Sequence, residues 1–112
     1  MDLEVTSAGA DASGTYTTLR VTGILDLSTS QELIDAGLRV LWHDSGLALD
    51  LSQVRFMDAS GVAALSALAR SAERESRTFA IAAASFPVRR LLQILDLTEE
   101  WIPAPRTRTE TG

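Results

Sequence analysis

The chain has 112 residues, 46% of them hydrophobic, and a formal net charge of -5 at pH 7. This length corresponds to one ordinary domain with a packed core. The acidic balance disfavours nucleic acid or anionic lipid as the main ligand, because both favour a basic surface. Cysteine is absent and His43 is the only histidine, so few residues are suited to a metal centre or an activated nucleophile. We therefore expect no catalytic residues, no metal and no cofactor.

The N-terminus predicts the compartment. Met1 to Glu4 is acidic and lacks the basic and apolar regions of a signal peptide. The apolar runs are too short to span a bilayer. We expect a cytoplasmic protein that does not contact the membrane.

Two strands are predicted before the first helix. Thr17–Thr22 alternates apolar and polar residues and is rich in β-branched side chains. Leu3–Val5 is a short strand before it, and the small and polar residues of Ala8–Gly14 indicate a turn between the two. So short a connection makes these strands antiparallel neighbours.

The next segments alternate between helix and strand. A first helix is predicted to begin after Ser28, where Gln31 completes a capping box, and to stop at Gly46. The apolar runs Leu47–Leu51 and Thr78–Ala83 are typical of strands covered on both faces.

Helical spacing marks two further helices. The buried side of the second carries Val62, Leu65, Leu68 and Ala72. Ser85 and Pro87 open the third, whose apolar positions are Val88, Leu91, Leu92 and Leu95.

Trp101–Ile102 is a candidate for a final edge strand. For the two tryptophans, Trp42 and Trp101, partial burial in the core is favoured over a role as interface anchors.

These elements predict a single α/β domain over residues 1–112, with its core at about 15–103 and a flexible tail at 104–112. The order is ββαβαβα, and the candidate final strand follows the third helix. It implies a mostly parallel central sheet with an antiparallel N-terminal strand. Asp26, Ser60 and Ser85 each follow a strand end, so we expect them along one edge, where open α/β sheets bind ligands.

The segment from Phe56 to Gly61 is the most informative about function. Phe56 and Met57 are predicted to anchor it to the core, and Asp58 to cap the second helix. Ser60 falls in the first turn, beside a Gly61 that leaves room for a partner's backbone. A phosphoryl group on Ser60 would meet free N–H groups at the helix start and would change the surface charge without unfolding the domain. Spacing alone favours an ordinary helix N-terminus, in which Asp58 is the cap and Gly61 eases the turn.

Three segments in order resemble the STAS domain family, above all the bacterial anti-sigma factor antagonists. They are Gly23–Asp26, Leu49–Val62 and Ser85–Leu92. The resemblance runs from about Leu19 to Ile102. It implies a STAS-like fold, although the C-terminal helix common in that family looks absent or very short here.

The resemblance also implies a cycle. The domain binds an anti-sigma factor, which is a serine kinase, and frees a sigma factor for transcription. Phosphorylation of Ser60 ends the complex, and a PP2C-type phosphatase restores the serine. Partner binding would involve Asp26, Asp58, Ala59, Ser60 and Gly61.

Two alternatives remain at this level. One is a non-catalytic STAS subunit of a stable assembly, such as a signalling scaffold or a lipid-transport ATPase complex. The other is an enzyme that uses Asp26, Asp58 and Ser60, which lacks a histidine, cysteine or lysine to activate the serine.

Overall fold

The structure is a computed structural model that describes residues 1–11 and 14–102. The strands are β1 (Asp2–Asp11), β2 (Gly14–Leu25), β3 (Gly46–Met57) and β4 (Thr78–Ala84). The helices are α1 (Ser30–His43), α2 (Ala59–Arg74), α3 (Phe86–Ile94) and α4 (Thr98–Trp101). Within those ranges, no helix is both long and apolar enough to cross a bilayer. The predicted α/β class and the order ββαβαβα are confirmed.

The four strands form one mixed sheet in the order β1-β2-β3-β4. β1 is antiparallel to β2, and the remaining pairs are parallel, as predicted. β1 is longer than predicted, because Ala8 to Asp11 pair with β2 instead of forming a turn. Cross-strand hydrogen bonding therefore overrides the turn-forming composition of this segment.

The prediction that the apolar runs are covered on both faces is wrong. Leu47, Leu49 and Leu51 are buried, whereas the alternate residues Ala48 and Asp50 are only partly so. The buried leucines join one core with residues of α1, α2 and α3. In β4 the pattern is similar, with a buried Ile81 beside an exposed Ala82. Alanine is small enough to lie on a face of the sheet that is only partly covered. An apolar run in a strand therefore does not require that both faces of the strand are covered.

The other face, which we call the open face, carries charged side chains. Arg20 Nε of β2 donates to Asp50 Oδ2 of β3 at 3.1 Å, and its Nη1 lies 3.8 Å from Glu4 Oε1 of β1. Partial burial acts to raise the pKa of Asp50, but hydrogen bonds from Ser52 and the Arg20 guanidinium outweigh it and hold that pKa below its usual value. The pairs link three strands across the sheet.

The start of α1 differs from the prediction. Thr29, not Ser28, is the residue before the helix, and the predicted capping box is absent. Thr29 Oγ1 accepts from the Asp26 N–H at 3.0 Å and donates to the Ile24 carbonyl at 2.9 Å, while Gln31 bonds Asp35 one turn on. The hydroxyl of Thr29 therefore bonds backbone groups within the loop instead of capping α1. The sequence pattern of a capping box does not distinguish these two arrangements. The helix ends at His43, and Gly46 is already the first residue of β3.

The predicted final strand is a helical turn, α4. Trp101 is only 5% exposed and its ring meets Phe79 edge-to-face, with centroids 6.2 Å apart. The predicted burial of Trp101 is confirmed, but that of Trp42 is wrong, since Trp42 is 81% exposed on α1. The predicted core end at 103 and the flexible tail at 104–112 lie outside the described residues.

Gly37 allows α1 and α2 to approach closely. A Cβ at this position would lie 2.6 and 2.7 Å from the two Cδ atoms of Leu68 and 3.2 Å from Leu47 Cδ2. Leu68 is fully buried and has little room to move. The glycine is therefore required by helix packing.

We predict that Gly37→Ala lowers the free energy of unfolding by about 1–2 kcal/mol. Overpacking a core costs about 1–3 kcal/mol, which exceeds the gain of about 1 kcal/mol in helix propensity. Urea unfolding measures the difference, with Arg39→Ala on the exposed side of α1 as control. An equal or greater stability of Gly37→Ala would contradict the packing argument.

Candidate functional site

The carboxyl edge of the sheet brings together residues from three connections. Asp26 follows β2, Ser60 opens the helix after β3, and Ser85 follows β4. Because these strands are parallel neighbours, the predicted common edge is confirmed. Ser85 stands at the N-cap position of α3, but its hydroxyl donates across the edge to the Val54 carbonyl of β3 at 2.6 Å.

Asp58 is the N-cap of α2, as predicted. Its backbone is extended, and its Oδ1 accepts from the N–H groups of Ser60 at 2.9 Å and Gly61 at 3.4 Å. Its own N–H donates to the Leu25 carbonyl of β2 at 3.3 Å. The free N–H groups that were expected to meet a phosphoryl group at the helix start therefore do not include those of Ser60 and Gly61. A carboxylate already accepts from both.

Gly61 is buried, although we expected it to be open to a partner. A Cβ there would lie 3.0 Å from both Cγ and the carbonyl oxygen of Leu25, and would also meet the side chain of Met57. The carbonyl belongs to β2 and cannot move aside. This glycine therefore lets the first turn of α2 pack directly against the end of β2.

Ser60 is partly exposed in the first turn of α2, next to an exposed Ala59. Its backbone is fixed by the bond to Asp58. Its Oγ makes no hydrogen bond with any residue of the described ranges. The result is an available hydroxyl on a rigid backbone, next to a side chain no larger than a methyl group.

The loop after β2 holds Asp26 in a fixed orientation. Ser28 donates to Asp26 Oδ1 twice, from its hydroxyl at 2.7 Å and from its N–H at 3.0 Å. The hydroxyl bond is the main reason that the pKa of Asp26 lies below its usual value, with backbone and Thr29 bonds adding to it. Oδ2 of this carboxylate accepts no hydrogen bond from the described part of the chain. Asp26 therefore presents a charged acceptor at the edge.

Large apolar side chains are exposed at the same edge. We call Ile24, Leu27, Phe56 and Phe86 the apolar rim; their exposed fractions range from 40% to 79%. Ile24 and Phe56 are register partners at the ends of β2 and β3, Leu27 follows β2, and Phe86 opens α3. Sequence reasoning assigned Phe56 to the core and did not notice the other three.

Phe56 is 52% exposed because β3 continues to Met57, so that Met57 is buried and its neighbour faces outwards. Only Met57 anchors the segment as predicted. The prediction ended the strand at Leu51. Arg55 and Phe56 are both exposed beside a register shift between β2 and β3, so simple alternation does not predict the exposure of Phe56.

The chemistry of this surface is that of docking. In the ranges that the structure describes, no group of three or more histidine, aspartate or glutamate side chains is placed to hold a metal ion. Phe86 also lines a groove with Arg89 and Arg90 of α3. Exposed apolar side chains at the same sheet edge as a hydroxyl and a carboxylate suit contact with another protein.

A family model described as Mlab, STAS domain matches residues 8–103, which include the whole carboxyl edge. The chain belongs to the STAS family. A search of curated proteins gave no significant match. The STAS resemblance of the sequence is thus confirmed.

Solved structures of STAS relatives share the fold. An anti-sigma factor antagonist from Mycobacterium paratuberculosis is 22% identical, with a TM-score of 0.69 over 97% of this chain and 90% of that one. The antagonist SpoIIAA in its unphosphorylated form is 18% identical, with a TM-score of 0.73 over 98% and 92% of the two chains. The phosphorylated Bacillus SpoIIAA is 17% identical, with a TM-score of 0.68 over 98% and 96%.

We predict that Asp58→Ala lowers the free energy of unfolding by about 1 kcal/mol, because the N–H groups of Ser60 and Gly61 lose their acceptor. Asp58→Asn keeps an oxygen in the same place and should lose much less. Urea unfolding of the two variants beside the wild type measures both effects. Equal losses for alanine and asparagine would show that the cap is not the source of the stability.

Proposed function

We propose that the chain is an anti-sigma factor antagonist. It binds an anti-sigma factor kinase through the carboxyl edge and is released when that kinase phosphorylates Ser60. The antagonist itself catalyses no reaction and needs no cofactor. The observation that carries the proposal is the free, partly exposed Ser60 hydroxyl on a capped helix start, at the same sheet edge as the exposed apolar rim.

The rim would supply most of the affinity. Aromatic and aliphatic side chains that become buried in an interface contribute more to binding than exposed polar contacts do. Phe56 and Phe86 come from the two neighbouring strand ends of β3 and β4, and Leu27 extends the surface towards β2. Asp26, with one free carboxylate oxygen, would pair with a donor of the partner and fix its orientation.

Phosphorylation would act through charge. The kinase transfers the γ-phosphoryl group of ATP to Ser60 Oγ, the hydroxyl proton leaves, and ADP is the other product. The new group brings about one and a half to two negative charges next to the Asp58 carboxylate. With the N–H groups of Ser60 and Gly61 already bonded to Asp58, little of this charge is neutralised within the domain. A loss of about 3 kcal/mol would weaken binding more than a hundredfold.

The fold itself tolerates such a group. The structural relative SpoIIAA is known in both unphosphorylated and phosphorylated forms. Ser60 is not part of the buried core, so the added group would extend into solvent. A PP2C-type phosphatase would hydrolyse the phosphoserine and return the antagonist to its binding state in the cytoplasm. Contact with nucleic acid or membrane is not part of this cycle.

A second candidate function is a non-catalytic subunit of a stable assembly. It is favoured by the internal roles of Asp58 and Gly61, since the cap and the tight packing against Leu25 would be needed without any kinase. In that case the carboxyl edge would be a permanent interface. The Ser60 hydroxyl would then matter for packing alone.

The test combines intact mass with affinity. We expect the wild-type chain, incubated with a candidate anti-sigma factor and ATP–magnesium, to gain one phosphate and to lose affinity for the kinase at least a hundredfold. Ser60→Ala should bind but gain no mass, and Ser60→Glu should bind weakly without ATP. Ser7→Ala is the matched control, because Ser7 is an exposed serine of β1 that pairs with Thr18 of β2, away from the carboxyl edge.

Phosphate on Ser60→Ala, or its loss from Ser7→Ala, would contradict the assignment of Ser60. Tight binding that neither ATP nor Ser60→Glu alters, together with co-purification in a large complex, would favour the stable-assembly function instead.

A further inference from the structure

A second exposed surface lies at the opposite end of the molecule. We call it the distal groove: a cavity of about 420 Å³ between the C-terminal parts of α1 and α2. Trp42 and Leu38 of α1 line one side, and Arg74, Glu75 and Arg77 at the end of α2 line the other. Trp42 is the most exposed large apolar side chain of the described residues. An unburied tryptophan of this kind is unusual on a surface without a binding role.

The distal groove is far from Ser60. Fourteen residues of α2 separate Ser60 from Arg74, which at a rise of about 1.5 Å per residue gives about 21 Å along the helix. A protein on the carboxyl edge would leave the distal groove accessible. The inference below therefore does not depend on the proposed function.

The charges at the groove are incompletely paired. In the described part of the chain, the ion pairs within 4 Å are those of Arg20 alone. Arg74 donates to the Ser71 hydroxyl at 3.1 Å, and Arg77 Nη1 to the Asp44 carbonyl at 2.6 Å, so both bond neutral groups. Arg77 Nε is buried without a hydrogen-bond partner. Two arginines thus retain their charge for an external anion, in a protein whose net charge is -5.

We propose that the distal groove docks an acidic segment of another protein. Its carboxylates would pair with Arg74 and Arg77, and an apolar side chain would pack on Trp42 and Leu38. Tryptophan and arginine are the residues most enriched at the centres of protein interfaces, and arginine pairs with carboxylates in a fixed planar geometry. Glu75 also lines the distal groove and would repel carboxylates close to it. It would therefore favour segments whose carboxylates lie next to the two arginines.

Charge complementarity also decides against other occupants. A second copy would offer only Glu75 to the two arginines of the groove, and both copies carry a net charge of -5, so it would pair them less completely than a segment with several carboxylates. An anionic membrane would be repelled by the same net charge. An acidic segment would contact only the groove, so the positive charges of Arg74 and Arg77 would act on it more strongly than the net charge of the domain.

The fluorescence of Trp42 provides the test, because Trp101 is buried and Trp42 is not. The probe is a synthetic helical peptide of repeated leucine and glutamate, and the control peptide has lysine in place of glutamate. We expect the glutamate peptide to shift the emission to shorter wavelength and to protect Trp42 from acrylamide quenching, with weaker binding at higher salt. The lysine peptide should do neither.

Arg74→Glu should weaken binding of the glutamate peptide at least about tenfold, which corresponds to about 1.4 kcal/mol. Arg90→Glu is the matched control, since it changes an exposed arginine of α3 by the same charge outside the groove. Equal losses for the two variants, or equal binding of the two peptides, would overturn the proposal. An emission shift that depends on protein concentration without peptide would also overturn it, in favour of a second copy.

Discussion

The junction between β3 and α2 depends on the Asp58 carboxylate and on the close packing of Gly61. Oδ1 of Asp58 accepts from the first turn of α2, and the Asp58 N–H bonds the Leu25 carbonyl of β2. Gly61 packs against that same carbonyl, where a side chain would not fit. Strand, loop and helix are thereby fixed to the central sheet. Ser60 lies between the two residues and takes its position from them.

A rigid Ser60 has a functional consequence. Its hydroxyl is available without any rearrangement, so a kinase could reach it as soon as the partner docks on the rim. In the proposed cycle, the charge added by phosphorylation would have no basic group of this domain within the capped turn to neutralise it. The same cap that presents the serine would therefore leave the phosphate to act on the partner, and the domain would change its surface while its core is unaffected.

The sequence predicted the elements that depend on apolar periodicity and the cap of α2. It failed at the start of α1, where hydroxyls bond groups within the loop, and where tertiary packing decides. The helices α2 and α3, the parallel pairing and the Asp58 cap follow from apolar spacing and residue type. Leu27 and Phe86 are exposed because of the position in the fold of the connections that follow β2 and β4, which no local sequence pattern predicts. Trp42 was placed in the core because large aromatic residues are usually buried, and α4 was read as a strand because Trp101 and Ile102 favour both states.

Amide chemical-shift mapping of the isotope-labelled chain with a candidate anti-sigma factor tests the central claim most directly. The account predicts the largest changes at Asp26–Ser28, Phe56–Gly61 and Ser85–Phe86, with Arg74 and the open face little affected. Ser60→Glu should reduce these changes at the same partner concentration. Changes confined to the distal groove or to the open face, with the carboxyl edge unaltered, would contradict the assignment of the carboxyl edge as the docking surface.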